Sequence, residues 1–198
     1  MNEVLLSILR DKNTGTGEFR RASDQLANLV SAEMLAKLTT PLQGIETPVG
    51  TADGAASPDD VIFVPIVRAA LAILPAFIEM VPAAPVAFLG IERDESTASP
   101  NIYYRKFPPV LPAKAVIIDP MLATGGSATM AVDILVDLGL DIENIYFAGV
   151  IAAQYGLDLL AEKIPLLNIT VAAIDPELND KKYIVPGLGD YGDRYYGT

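Results

Sequence analysis

Residues 116–128 read Val-Ile-Ile-Asp-Pro-Met-Leu-Ala-Thr-Gly-Gly-Ser-Ala, and no other stretch restricts the fold of this chain so tightly. An apolar strand runs into one acid, Asp119, a short loop with two glycines follows, and Ser127 then opens an amphipathic helix. Glycine lets a backbone approach a ligand closely. The free N–H groups at a helix start, together with the helix dipole, attract an anion. Ser127 is placed to cap the helix and to face a phosphate. The layout describes a phosphate seat with a carboxylate at its lip. Taken alone, Gly-Gly-Ser before a helix is also a common turn. The lysine of a P-loop is missing, which disfavours a nucleoside triphosphate. The pattern G-x-G-x-x-G is absent too, which disfavours a dinucleotide.

The rest of the chain supplies the setting. Phe19, Ala22, Leu26, Leu29, Val30 and Met34 recur at helical spacing and predict a helix over 18–38, closed by Thr39-Thr40-Pro41. Residues 43–57 read as short edge strands with turns. Apolar runs at 61–64, 86–91, 115–118, 145–151 and 169–174 suit buried parallel strands. Helices are expected from Pro75 to about Met80, over 127–138 and over 155–163. Residues 92–108 read as a protruding hairpin and 175–198 as loop. Strands alternating with helices imply an α/β fold with a mostly parallel sheet flanked by helices. In such sheets ligands bind at the carboxyl ends of the strands. The loops after residues 64, 91, 118 and 174 should open there, carrying Arg68, Arg93 and Asp119. One domain over 1–198 is expected.

Composition narrows the chemistry. The chain holds no histidine and no cysteine, so thiolate catalysis, zinc–thiolate sites, histidine bases and catalytic triads are excluded. A net charge of −11 argues against nucleic acid or an anionic membrane as partner. It also means that any phosphate site must be local, built from amides, a few arginines and a metal ion. Arg10, Lys12, Arg20 and Arg21 near the N-terminus read as solvated helix-face charges. No apolar run reaches membrane-spanning length and no secretory pattern is present, so a cytoplasmic protein is the expectation.

The opening string resembles the phosphoribosyl pyrophosphate (PRPP) loop of type I phosphoribosyltransferases, and Asp-Pro-Met-Leu-Ala-Thr-Gly-Gly-Ser resembles the version found in the uracil phosphoribosyltransferase family. Val64-Pro65-Ile66-Val67-Arg68-Ala69 is similar to that family's pyrophosphate loop, and Glu92-Arg93-Asp94-Glu95 with Tyr103-Tyr104 to its flanking hairpin. Asp11-Lys12-Asn13-Thr14 with Glu18-Phe19-Arg20 resembles its N-terminal segment, and residues 183–198 its uracil-binding C-terminus.

The resemblance implies conversion of uracil and PRPP to UMP and diphosphate in pyrimidine salvage, with Mg²⁺ bound mainly through the substrate's diphosphate. It implies Asp119 and Arg68 as catalytic residues. PRPP would be held by Arg68, Arg93, Asp119, Pro120, Met121, Leu122, Ala123, Thr124, Gly125, Gly126, Ser127 and Asp190. Uracil would be read by Ile184, Gly189, Asp190 and Tyr191, largely through main-chain groups, and the peptide before Arg68 would be cis. It further implies a homodimer or higher homo-oligomer, and it leaves open a GTP effector, which some relatives have.

Each residue also has a plainer reading. Asp119 could bond its own loop, Arg68 could pair with one of many acids, Arg93 could pair with Asp94 or Glu95, and Asp190 could stabilise a turn. Asp193 and Arg194 are expected to pair with each other or to pin the tail. Two departures stand out. Tyr191 replaces the family's usual alanine and must point away from the base or close the pocket, and Ala70 stands where glycine is usual. A shorter first segment, Met1 to Leu9, also departs from the pattern. A catalytically inactive or regulatory nucleotide-binding protein on the same fold is the alternative reading.

Overall fold

The computed structural model describes residues 1–93 and 100–198, and of Arg93 and Pro100 the backbone alone. In chain order the helices are α1 (Asn2–Arg10), α2 (Thr16–Ala36), α3 (Leu74–Met80), α4 (Gly126–Asp137), α5 (Gln154–Ala161) and α6 (Tyr191–Tyr196). The strands are β1 (Thr40–Thr47), β2 (Gly50–Ala56), β3 (Val61–Val67), β4 (Phe88–Arg93), β5 (Pro100–Lys106), β6 (Lys114–Ile118), β7 (Met121–Leu122), β8 (Ile145–Ala153), β9 (Ile169–Asp175), β10 (Glu177–Leu178) and β11 (Ile184–Val185).

Strands that are apolar at successive positions must bury both faces. β3, β6 and β8 do so and lie parallel at the sheet's centre, with Val64 beside Ile117 and Ile117 beside Phe147. β4 extends the sheet in parallel beyond β3, and β5 closes that edge antiparallel to β4. β9 runs parallel on the far side of β8. Side chains alternate across the pleat. In β3, Val61 and Phe63 join a core with α1, α2 and α3, while Ile62, Val64 and Ile66 join a core with α4 and α5. Phe63 meets Phe77 of α3 edge-to-face at 5.6 Å, an arrangement that adds about 1 kcal/mol to burial alone.

The expected strands and helices are present, with four corrections. Residues 43–57 do not edge the main sheet. β1 and β2 form a separate antiparallel hairpin, exposed along nearly its whole length. The segment before residue 11 is a helix, α1, whose Leu5, Leu6 and Leu9 are buried against α2. The tail is not simply loop, because β10, β11 and α6 lie within it. Arg20 is exposed as expected, like Lys12 and Arg21, but it and the half-buried Arg10 also hold the tail, as described below. Of the expected hairpin, β4 and β5 are observed, and residues 94–99, including Asp94 and Glu95, lie outside the described residues.

Candidate active site

Because β3, β4, β6, β8 and β9 are parallel, their carboxyl ends share one edge of the sheet. Arg68 follows β3, the Arg93 backbone ends β4, Asp119 follows β6 and Asp175 ends β9. The convergence expected for Arg68, Arg93 and Asp119 is therefore present at the level of the chain. The Arg93 side chain is not among the described groups.

The loop after β6 is pinned on both sides. The Asp119 N–H donates to the Ala148 carbonyl at 3.1 Å, and the Pro120 carbonyl accepts from Val150 and Ile151, each at 3.0 Å. Met121 and Leu122 then run as β7 beside Ile151 and Ala152. Asp119, half-buried, accepts the Met121 N–H on Oδ1 at 3.2 Å, the bond to its own loop that the plainer reading allowed. Ser127 is not the cap of α4. That position belongs to Gly125, at φ 80°, and Ser127 is the second helical residue. A left-handed turn of this kind favours glycine. The first-turn amides of α4 have no acceptor inside the helix and are available to a ligand. A side chain on Gly125 would meet the backbone of Gly156 at 3.0 Å, so α5 packs directly beneath the loop.

The tail meets this loop. Met121 and Ala123 on one side and Ile184, Gly189 and Asp190 on the other line one cavity of about 340 Å³. That volume lies within the range of small-ligand pockets. Asp190 also caps α6, with its Oδ1 accepting the Asp193 N–H at 2.8 Å. The Val67–Arg68 peptide is cis, as is Val185–Pro186. Arg68 is exposed, not buried, and pairs with Asp193 at 2.8 Å. A Cβ on Gly192 would lie 3.7 Å from Arg68 Nη2 and 3.4 Å from Asp190 Oδ1, which puts the arginine and the capping acid on either side of one glycine. Ala70, in place of glycine, is fully buried in the 3-10 turn after Arg68.

Tyr191 points away from the cavity. Its ring is fully buried, meets Phe19 edge-to-face at 5.2 Å, and its hydroxyl lies 2.6 Å from Ser23 Oγ. Burial drives the phenol well above its usual pKa, so it stays neutral. The backbone at Gly189–Asp190, just before α6, is thereby left lining the cavity while the bulky side chain fills the core beneath it.

What sequence reasoning missed is how the tail is held. Arg10 of α1 forks onto Asp175 at 2.6 and 2.8 Å and donates to the Gly187 carbonyl at 2.9 Å. The Gly187 N–H returns to Asp175 Oδ2 at 2.7 Å. The Arg10 hydrogen bond holds the buried Asp175 carboxyl below the usual carboxylate range. Asp193 and Arg194 do not pair with each other. Arg194 donates to the carbonyls of Leu9, Asp11 and Leu188 and stacks over Phe19 at 4.5 Å, pinning the tail. Arg20 donates to the Tyr195 carbonyl at 2.7 Å. The Leu5, Leu6, Leu9 spacing signals α1, but no local pattern signals a partner 165 residues away.

Among the described residues no three acidic, histidine or cysteine side chains converge as a metal cage, and no helix is long and apolar enough to cross a membrane.

Comparison with known proteins agrees with this architecture. The family model described as uracil phosphoribosyltransferase matches residues 2–198. Proteins named uracil phosphoribosyltransferase from Finegoldia magna and Dictyoglomus thermophilum are each 43% identical over 195 residues. The match covers 98% of this chain and 92% and 93% of those relatives, respectively. The solved structure of the AQ2163 protein from Aquifex aeolicus matches all of this chain and 94% of its own, with TM-score 0.84 and 34% identity. A hypoxanthine phosphoribosyltransferase from Staphylococcus aureus, at TM-score 0.52 and 10% identity over 81% of this chain and 77% of its own, shares the fold. The chain belongs to the uracil phosphoribosyltransferase family.

Proposed function

We propose that this enzyme transfers the phosphoribosyl group of PRPP to uracil, giving UMP and diphosphate, in pyrimidine salvage. The observation that carries the reading is the single cavity shared by the loop after β6 and the tail. The first-turn amides of α4 suit the 5′-phosphate, and the main chain at Ile184 and Gly189–Tyr191 suits a base. Breaking the bond between ribose C1 and diphosphate builds positive charge on the sugar and negative charge on the leaving group. Positioning and electrostatics therefore do most of the work.

In this reading Asp119 accepts hydrogen bonds from the ribose hydroxyls, and the amides of Ala123–Ser127 hold the 5′-phosphate. Pro120, Met121 and Leu122 keep the loop against β8. Arg68 and Arg93 take the diphosphate, a guanidinium being well shaped for phosphate oxygens. Mg²⁺ fits a site of this kind as an ion carried by the substrate's diphosphate, with Asp119 and Asp190 the nearby carboxylates. When bound it neutralises charge on the leaving group. Uracil offers an N3–H donor between two carbonyls, a pattern cytosine partly reverses. Mismatched buried hydrogen bonds can discriminate by roughly 10⁴-fold.

Self-association is part of the proposal. Leu42, Ile45 and Val49 of the β1–β2 hairpin and Ile102, Tyr103 and Tyr104 of β5 expose apolar side chains, which suits contact with a second copy of the chain. Sedimentation equilibrium checks this. The activity is tested by converting labelled uracil to UMP with PRPP and Mg²⁺, with and without GTP. Cytosine and hypoxanthine serve as controls. PRPP-dependent UMP from uracil alone supports the reading, and no UMP at all overturns it.

A further inference from the structure

At the mouth of the cavity stand two lysines that the roles above do not use. Lys181 and Lys182 occupy the turn between β10 and β11 and line the cavity with Met121, Ala123 and Ile184. The turn is closed by its own bonds. Asn179 Oδ1 accepts the N–H groups of Lys181 and Tyr183, both at 3.0 Å, and the Lys182 N–H reaches the Asn179 carbonyl at 2.8 Å. Neither ammonium contributes to that closure.

Lys182 has φ 64°, and among the described residues it is the one non-glycine with positive φ. The left-handed region costs a residue with a Cβ about 1 kcal/mol, and turns usually fill it with glycine or asparagine. Local folding alone would therefore be better served by glycine. Nor does Lys182 serve an ion pair. Among the described residues neither lysine ammonium has a hydrogen-bond or ion-pair partner, although the chain carries 25 acids against 14 bases. Two cations unpaired among the described residues thus line a cavity that meets the phosphate loop at Met121 and Ala123, in a molecule whose net charge of −11 repels anions.

We propose that Lys182, with Lys181 beside it, forms a cationic lip that favours the phosphorylated ligands of this site, PRPP and UMP, through their 5′-phosphomonoester. Resting on the function proposed above, this adds a binding contribution from outside the phosphate loop. The lip acts on charge and leaves recognition of the neutral base untouched.

Steady-state kinetics of the full-length enzyme and the variants Lys182→Gly and Lys182→Gln test it. At low ionic strength both variants should raise the KM for PRPP and the inhibition constant of UMP about three- to fivefold, the scale of one exposed charge pair. The KM for uracil should stay unchanged. Raising the salt should shrink the difference from wild type. Lys182→Gly should unfold no lower than wild type, since glycine suits the left-handed turn, and so loss of fold cannot mimic the effect. UMP inhibition equal to wild type in both variants would overturn the lip while leaving the enzyme's function intact. A uracil KM that rises in step with the others would also overturn it. A wild-type protein that neither turns over uracil nor binds UMP would remove the functional reading, and the lip with it.

Discussion

The Arg68 guanidinium rests 2.8 Å from the Asp193 carboxylate and 5.9 Å from the centre of the Tyr196 ring. Arg68 belongs to the loop after β3, whereas Asp193 and Tyr196 belong to α6, next to the residues assigned to the base. If Arg68 takes the diphosphate, that anion competes with Asp193 for the same guanidinium. The pair is about half exposed on both sides, so separating it costs about 1 kcal/mol or less. Asp193→Asn should therefore tighten diphosphate inhibition by up to about fivefold. Arg68→Ala should weaken it by about tenfold or more, because a forked charge-assisted contact is lost. Product-inhibition constants read both effects, and unchanged values in Arg68→Ala would remove Arg68 from the diphosphate.

Asp119→Asn keeps an oxygen to accept the Met121 N–H, so the loop should hold its shape. The negative charge opposite the developing sugar cation is gone. kcat/KM should fall by about 100-fold or more, with the unfolding temperature within a few degrees of wild type. Unfolding of this variant would mean that the carboxylate is structural.

Arg10→Met strands the Asp175 carboxylate, whose side chain is only 5% exposed. Removing one partner of a buried pair is costly, and Arg10's partial exposure moderates the loss to about 2–3 kcal/mol. A fall in Tm of about 5–10 °C is expected by calorimetry. The pH dependence has a definite sign. Asp175 titrates below its unfolded value of about 3.9, so the pair's contribution is complete above about pH 5. It is lost as pH falls through the folded value. The difference in Tm between wild type and Arg10→Met should therefore be largest near neutrality and close in acid.

Tyr191→Phe removes one side of the buried contact with Ser23 and should cost about 1–3 kcal/mol. Because the ring faces Phe19 and not the cavity, the KM for uracil should not move. A changed uracil KM at unchanged stability would place the phenol in the base site.

The parallel sheet and the loop after β6 were legible because their signals are local. Continuous apolar runs mark buried strands, and two glycines before an amphipathic segment mark a tight entry to a helix. The capping of α4 was misassigned for a local reason too. Gly125 in the left-handed region does the work expected of Ser127, and both residues lie in the same turn. The clamp from α1 and α2 onto the tail was not legible. Arg10 with Asp175 and Arg194 with the Leu9 carbonyl join the two ends of the chain, and each residue's neighbours in sequence describe only an ordinary surface charge. The orientation of Tyr191 was undecided for the same reason. Its hydroxyl partner, Ser23, lies a full domain's length earlier in the chain, in α2.

A crystal structure of the protein with UMP would locate both halves of the binding site at once. The 5′-phosphate is expected against the amides of Ala123–Ser127, and the pyrimidine against Ile184 and Gly189–Tyr191 at the adjoining cavity of about 340 Å³. An ordered crystal at saturating UMP, with the nucleotide bound elsewhere or at neither position, would contradict it.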